Sequence, residues 1–276
     1  MYSKMCAILK SYLRVAWLSF LLSPGLSLAY ERHFSYLYES PVLPKGAMEI
    51  ELWTTPRLMR DHYFVRFDER LEFEVGLGKG LQTAFYLNMR GQAESSSQGM
   101  QKKFEFRGVS SEWKWQMTDP VSNFLGSSLY GELTWMPHEV ELEGKIILDK
   151  WIGRVLVAYN LVGEFEIEAE QKQGEELEWE KVAVVENILG VSVRIFDGLQ
   201  VGLEFLNKNR LSEGKLDYSA LFIGPNVFVS SRKMWATLTF LAQLPSIKKS
   251  DESPHKWLEL KDLERYQARL LLGYHF

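Results

Sequence analysis

The chain has a single cysteine, Cys6, in 276 residues, and it falls within the first 29. Past that segment no disulfide framework and no cysteine-based metal site can form. Nor does any stretch past residue 29 approach the ~18–20 consecutive apolar residues of a membrane-spanning helix. Basic charge is not in excess. Lys plus Arg is 32 against 36 for Asp plus Glu, a net charge of −4, so no nucleic-acid partner is expected. Histidine is scarce at five residues, which restricts where acid–base or metal chemistry can be sought. Aromatic residues are plentiful: 9 Trp, 12 Tyr and 16 Phe, in a chain that is 46% hydrophobic and 25% charged. Those proportions exclude a disordered polypeptide.

Residues 1–29 read as an export signal. Lys4, Lys10 and Arg14 form a positive region without acids, Val15 to Leu22 an apolar core, and Ser27-Leu28-Ala29 places small side chains at a cleavage site. The expected mature chain starts near Tyr30. Its net charge is −7, because the removed segment carries three bases and no acid. An exported chain without cystines has to hold together by other means, and a closed sheet in a bilayer is one.

The dominant pattern after residue 29 has a period of two. In Glu139 to Leu148, Val140, Leu142, Gly144, Ile146 and Leu148 share one face, while Glu139, Glu141, Glu143 and Lys145 share the other. A helix would scatter these residues around its axis, whereas a pleated strand separates them. Similar segments are predicted at roughly 47–55, 63–77, 81–90, 103–117, 124–135, 139–149, 154–166, 180–195, 199–207, 218–229, 234–244 and 262–276. Most are long enough for a tilted strand to cross hydrocarbon, which takes ~9–11 residues. The alternation slips near Ile188 and Ser219, and Glu69 falls on the apolar face.

The links alternate too. Gly78-Lys79-Gly80, Thr118-Asp119-Pro120, 150–153, Phe196-Asp197-Gly198 and 230–233 are tight turns. Between them lie polar stretches at 56–62, 91–102, 167–179, 208–217 and 245–261, with the short Met136-Pro137-His138 as the exception. Short periplasmic turns and longer outer loops are the signature of upright hairpins in an outer membrane. The last strand ends on Phe276, with Tyr274, Leu272, Leu270, Ala268 and Tyr266 on its face. It is the expected point of contact with the barrel-assembly machinery. Trp53, Trp113, Trp115, Trp135, Trp151, Trp179 and Trp235 cluster near strand ends, which predicts interfacial girdles.

Several stretches resemble an uncharacterised family of bacterial outer-membrane β-barrel proteins commonly labelled as transporters. They are Tyr36-Leu37-Tyr38-Glu39-Ser40 with Leu43-Pro44-Lys45-Gly46 and Glu49 to Trp53; Arg66-Phe67-Asp68 with Glu72 to Leu77; Glu141 to Lys145; and Phe222-Ile223-Gly224-Pro225. The resemblance covers essentially the whole mature chain. It implies an outer-membrane barrel and supplies no catalytic residues.

The expected architecture is all-β: a closed antiparallel transmembrane β-barrel of about 12 strands spanning 47–276, preceded by a periplasmic segment at 30–46. Outer-membrane lipid would meet its apolar face. The opposite face would line the lumen with Glu49, Glu51, Asp68, Glu72, Glu74, Glu112, Glu132, Glu139, Glu141, Glu143, Glu164, Glu186 and Glu204. The bases there are Arg66, Arg70, Lys114, Lys145, Arg194, Arg265 and Arg269. This acid excess predicts either ion pairs that close the lumen or a narrow path favouring cations.

No residue set qualifies as catalytic, cofactor-binding or metal-binding, and no cofactor is expected. Asp61-His62 and His138-Glu139 lack the spacing of a metal motif, and Gly76 to Gly80 lacks that of a phosphate loop. The leading expectation is a non-enzymatic pore or transporter for an unidentified small solute. One alternative is a lipid-modifying enzyme of phospholipase or deacylase type, using Ser127 or Ser128 with His138. The other is a structural or adhesive barrel acting through loops 91–102 and 245–261.

Overall fold

The computed structural model describes residues 32–96, 99–137, 139–170, 178–212 and 214–276. The expected signal at 1–29 and His138 lie outside them. The strands are β1 (Met48–Leu58), β2 (Phe64–Gly78), β3 (Leu81–Ser96), β4 (Gly99–Thr118), β5 (Gly126–Trp135), β6 (Glu139–Ile152), β7 (Val155–Glu170), β8 (Glu178–Phe196), β9 (Leu199–Ser212), β10 (Lys215–Ser230), β11 (Met234–Lys248) and β12 (Tyr266–His275). Each pairs antiparallel with its neighbours in sequence. β1 and β12 close the ring, with Glu49 opposite His275 and Leu52 opposite Leu272. Closure removes every free sheet edge, the condition for a sheet to stand in hydrocarbon.

The two faces follow the sequence alternation. Ile50, Leu52, Phe73, Phe85, Leu133, Leu142, Leu203 and Phe240 are exposed on the outer wall, while the residues between them point inward and are covered. Glu69 does point outward as strict alternation demands. No bulge turns it, and the Thr54 hydroxyl donates to its carboxylate. Near Ser219 the sequence slip is a real irregularity. The register of β10 shifts against both neighbours, and Tyr218, Ser219 and Ala220 are all buried. Near Ile188 the ladder is regular, and an apolar residue simply faces inward.

Three expectations need correction. The links at 91–102 and 208–217 are mostly strand, and so are the described residues of 167–179: the ladders run on to Ser96–Gly99, Glu170–Glu178 and Ser212–Lys215. Polar composition reports what the side chains meet, whereas backbone groups still pair wherever a partner strand continues. Among the described residues only 249–265 forms a long irregular link between strands. It folds back over the mouth, burying Leu260 and Leu263. Trp113, Trp115 and Trp135 are half or more exposed on the outer wall, as a girdle requires, but Trp53 and Trp235 are buried in the lumen. Trp151 also turns inward, under the Arg194 guanidinium and edge-on to His33. Trp179 has no described side chain.

The third correction concerns 30–46, expected outside the barrel. Its described part enters the lumen at the end where β1 begins and β12 finishes, and Arg32, Phe34 to Ser40 and Leu43 are buried there. A twelve-strand barrel is too wide for wall side chains alone to fill, and this segment supplies the missing volume.

Candidate functional site

Among the described residues the segment 32–43 has no strand partner, so its backbone groups must be satisfied by side chains. The inward polar residues do this. Glu204 of β9 accepts from the backbone N–H groups of Ser35, Tyr36 and Leu37 at 2.9, 2.9 and 3.1 Å. Asn160 of β7 accepts from Tyr38 N–H at 2.7 Å and donates to the Tyr38 carbonyl at 2.9 Å, imitating a strand neighbour. Asp149 of β6 accepts from Ser40 N–H at 3.0 Å, Gln82 of β3 accepts from Leu43 N–H at 2.7 Å, and Lys114 of β4 donates to the Pro41 carbonyl at 2.7 Å.

Apolar contacts complete the fit. Phe34, Tyr36 and Leu37 pack with Leu156, Ala158, Ile188, Leu206, Phe222 and Leu241. Gly190 is the recess for Phe34: a Cβ there would stand 2.7 Å from the ring. The sequence assigns no role to this segment, because a socket built from several strands leaves no local signature.

Above the segment the lumen opens. A cavity of about 560 Å³ is lined by Arg57, Arg66, Asp68, Arg70, Arg90, Arg107, Glu139, Glu141, Glu164, Glu166, Lys208 and Arg210. A smaller one of about 180 Å³ shares Arg57, Arg70, Glu141, Glu164 and Lys208 with it, and Tyr36, Tyr38 and Trp53 form its floor. The two make one vestibule ending on the plug. Its floor interleaves cations with rings: Arg32 lies 4.0 Å from the Tyr38 centroid, Lys145 3.9 Å from the same ring, Arg269 4.2 Å from Tyr36 and Arg70 4.2 Å from Tyr86. Burial pushes the Tyr36 and Tyr38 phenols well above their usual range, so the floor rings stay neutral.

The vestibule walls differ in sign. On β1 to β4 Asp68 is flanked by Arg57, Arg66 and Arg90 at 2.9, 3.1 and 2.6 Å, leaving that wall positive. On β6 and β7 Glu139, Glu141, Glu143, Glu164 and Glu166 outnumber Lys145, leaving the other wall negative. Arg107 bridges to Glu139 at 2.8 Å, and Lys208 pairs with Glu186 at 2.8 Å.

The sequence-predicted lumen residues therefore separate into groups. Arg66, Asp68, Arg70, Glu139 and Glu141 line the upper vestibule, and Glu143, Lys145, Glu186 and Arg269 the lower. Glu49, Glu51, Glu72, Glu74, Glu112, Lys114, Glu132 and Glu204 point inward but are buried below or beside the plug. The expected acid excess thus belongs to the closed half, and the open half is close to balanced. Arg194 is inside at the end where β1 begins, on Trp151. Arg265 is the exception. It precedes β12 and lines a groove with Pro245, His255, Trp257 and Tyr266, away from the vestibule.

Arg57, Arg90, Lys208 and Arg210 were missed because they lie at or past the ends of the predicted segments, where the inward parity simply continues. Arg107 was missed for another reason. Gly108 has φ +118° and Arg107 is an extra residue in the ladder, so the phase reverses there and Phe104 and Phe106 turn outward.

The imagined Ser–His arrangement finds no support. Ser128 is buried and donates to the Ser40 carbonyl at 2.5 Å, Ser127 pairs with Thr118, and His138 lies outside the described residues. His33, expected outside the barrel, is in the plug with Glu39 2.8 Å away.

These features define a class: a transmembrane β-barrel of the outer-membrane type, with a plugged lumen. Within it, the chain belongs to a family of unknown function, DUF6662, whose model matches residues 26–276. No curated protein matches the sequence. Among solved structures it is similar to an outer membrane channel from Pseudomonas putida F1, at 11% identity and a TM-score of 0.58, covering 86% of this chain and 98% of that one. It is also similar to the NanC porin, at 8% identity and 0.53, covering 82% and 98%. The β domain of the Bordetella autotransporter BrkA gives 9% identity and 0.53, covering 84% and 100%. At these identities the likeness is one of fold.

Proposed function

We propose that the protein is a gated outer-membrane pore for small solutes, with the vestibule as its solute-binding half and residues 32–43 as its gate. The observation that carries this reading is the way the gate is held. It is a stretch of chain without a ladder, fixed by side-chain hydrogen bonds that can exchange for water, directly beneath a cavity open to the far side. The related fold of a channel and a porin supports it. In this reading the chain is exported by cleavage after residue 29, is assembled through the strand ending at Phe276, and faces the outside with its vestibule.

The opposed walls set the solute class. A positive β1–β4 face and a negative β6–β7 face create a field across the vestibule that orients a molecule carrying both signs of charge. Zwitterionic solutes are favoured over plain cations or anions. The test is conductance in planar bilayers with the wild type and with a chain lacking residues 32–43. The wild type is expected to open in rare steps and the truncated chain to stay open. Joint Glu139→Gln, Glu141→Gln and Glu143→Gln substitutions should shift its reversal potential toward anions. Electrical silence of the truncated, folded barrel would refute the pore.

A further inference from the structure

Four glutamates of the first two strands face one another in the closed half of the lumen. Glu49 and Glu51 of β1 stand directly opposite Glu74 and Glu72 of β2, and all four are almost fully buried. Like charges placed opposite each other across a ladder repel, and buried beneath the plug they have no bulk water to screen them. The available donors are shared unevenly. Glu49 accepts from the Trp235 indole and lies 2.6 Å from His275 Nδ1. Glu51 accepts from Trp53 Nε1 at 2.8 Å and from Arg32 at 3.3 Å. Among the described residues no N–H or hydroxyl donor reaches either oxygen of Glu72, Oε2 of Glu74 or Oε1 of Glu51, and the Glu72 and Glu74 carboxyls lie against each other. One carboxylate oxygen from each of these three lies within 4.8 Å of the other two. That is the spread open to ligands held ~2.4 Å from a common centre.

We infer that Glu51, Glu72 and Glu74 hold one divalent calcium ion, which joins β1 to β2 beside the seam with β12. Buried carboxylates without donors demand a compensating positive charge, and an all-oxygen donor set selects a hard cation. Magnesium gives up its water reluctantly and needs room to keep it, whereas calcium accepts a dry, carboxylate-rich cage. Glu139, Glu141 and Glu166 also converge, but they face the open vestibule, and Arg107 already pairs with Glu139, so nothing there calls for an ion. The inference is independent of whether the barrel conducts.

The experiment uses the full chain, folded in detergent, with bound calcium, magnesium, manganese and zinc measured by atomic emission after dialysis. Folding is checked by heat-dependent gel migration. About one calcium per chain is expected in the wild type and in the loop variant Glu252→Gln, and none in Glu72→Gln or Glu74→Gln. Refolding the wild type in calcium rather than chelator should raise its thermal midpoint, a response that Glu72→Gln lacks. A wild type that holds no divalent metal and melts identically in calcium and in chelator would overturn the site, leaving protons as the compensating charge. Undiminished calcium in folded Glu72→Gln and Glu74→Gln would overturn it equally.

Discussion

A few side chains hold the plug in the lumen, and Glu204 is foremost among them. Its carboxylate gathers three consecutive backbone N–H groups of the plug and also accepts from Thr239. The substitution Glu204→Gln removes the charge and aims an amide N–H₂ at donors that need an acceptor. Hydrogen bonds to a charged group contribute ~1.5–3 kcal/mol each, so a loss of a few kcal/mol of plug anchoring is expected. Limited proteolysis reads it: residues 32–43 should become cleavable in the variant while the barrel stays resistant. Continued protection would mean that the apolar contacts of Phe34, Leu37 and Leu43 suffice.

This residue also marks how far sequence reasoning reached. Its inward direction was legible, because Gln200, Gly202 and Glu204 alternate with Val201 and Leu203. Its purpose was not, since the groups it serves lie some 170 positions earlier in the chain. The same holds for Gly190, which reads as an ordinary strand glycine until the Phe34 ring is seen against it.

Among the elements, the tight turns were the most legible parts of the sequence and the long loops the least. In the turn between β4 and β5, Asp119 accepts from the backbone N–H groups of Val121 and Ser122 at 2.9 and 2.8 Å. Those bonds, with that to Ser122 foremost, hold its carboxyl below the ordinary value. A group whose folded pKa is depressed contributes stability above its unfolded pKa and loses it as pH falls through the folded value. Because Asp119 is exposed, the contribution is small. Asp119→Ala should therefore lower the thermal midpoint slightly at pH 7 and not at all near pH 2, which a melting series across that range checks. The longer hairpins followed a different rule from the one their composition suggested. Their polar side chains meet water, yet their ladders continue, and a polar strand looks like a loop to any reading based on alternation of greasy and charged residues.

Taken as a whole, the molecule is a ring with its hydrophobic surface turned outside and its polar residues packed within, the inverse of a water-soluble domain. Such a ring, closed by the β1–β12 ladder, should resist detergent at room temperature and unfold only on heating. Electrophoresis before and after boiling is expected to give two mobilities; a single mobility under both conditions would argue against closure.

The sequence by itself determined the strands, their number, the direction of nearly every side chain and the ring they close, because all of these rest on a period of two repeated along the chain. It could not determine that the lumen is shut, that the acid excess is sealed beneath the plug, or that the opposite walls of the mouth carry opposite charge. Those depend on which strands stand across the ring from one another and on where residues 32–43 come to rest. No local pattern encodes such distances, and only the closed tertiary structure sets them.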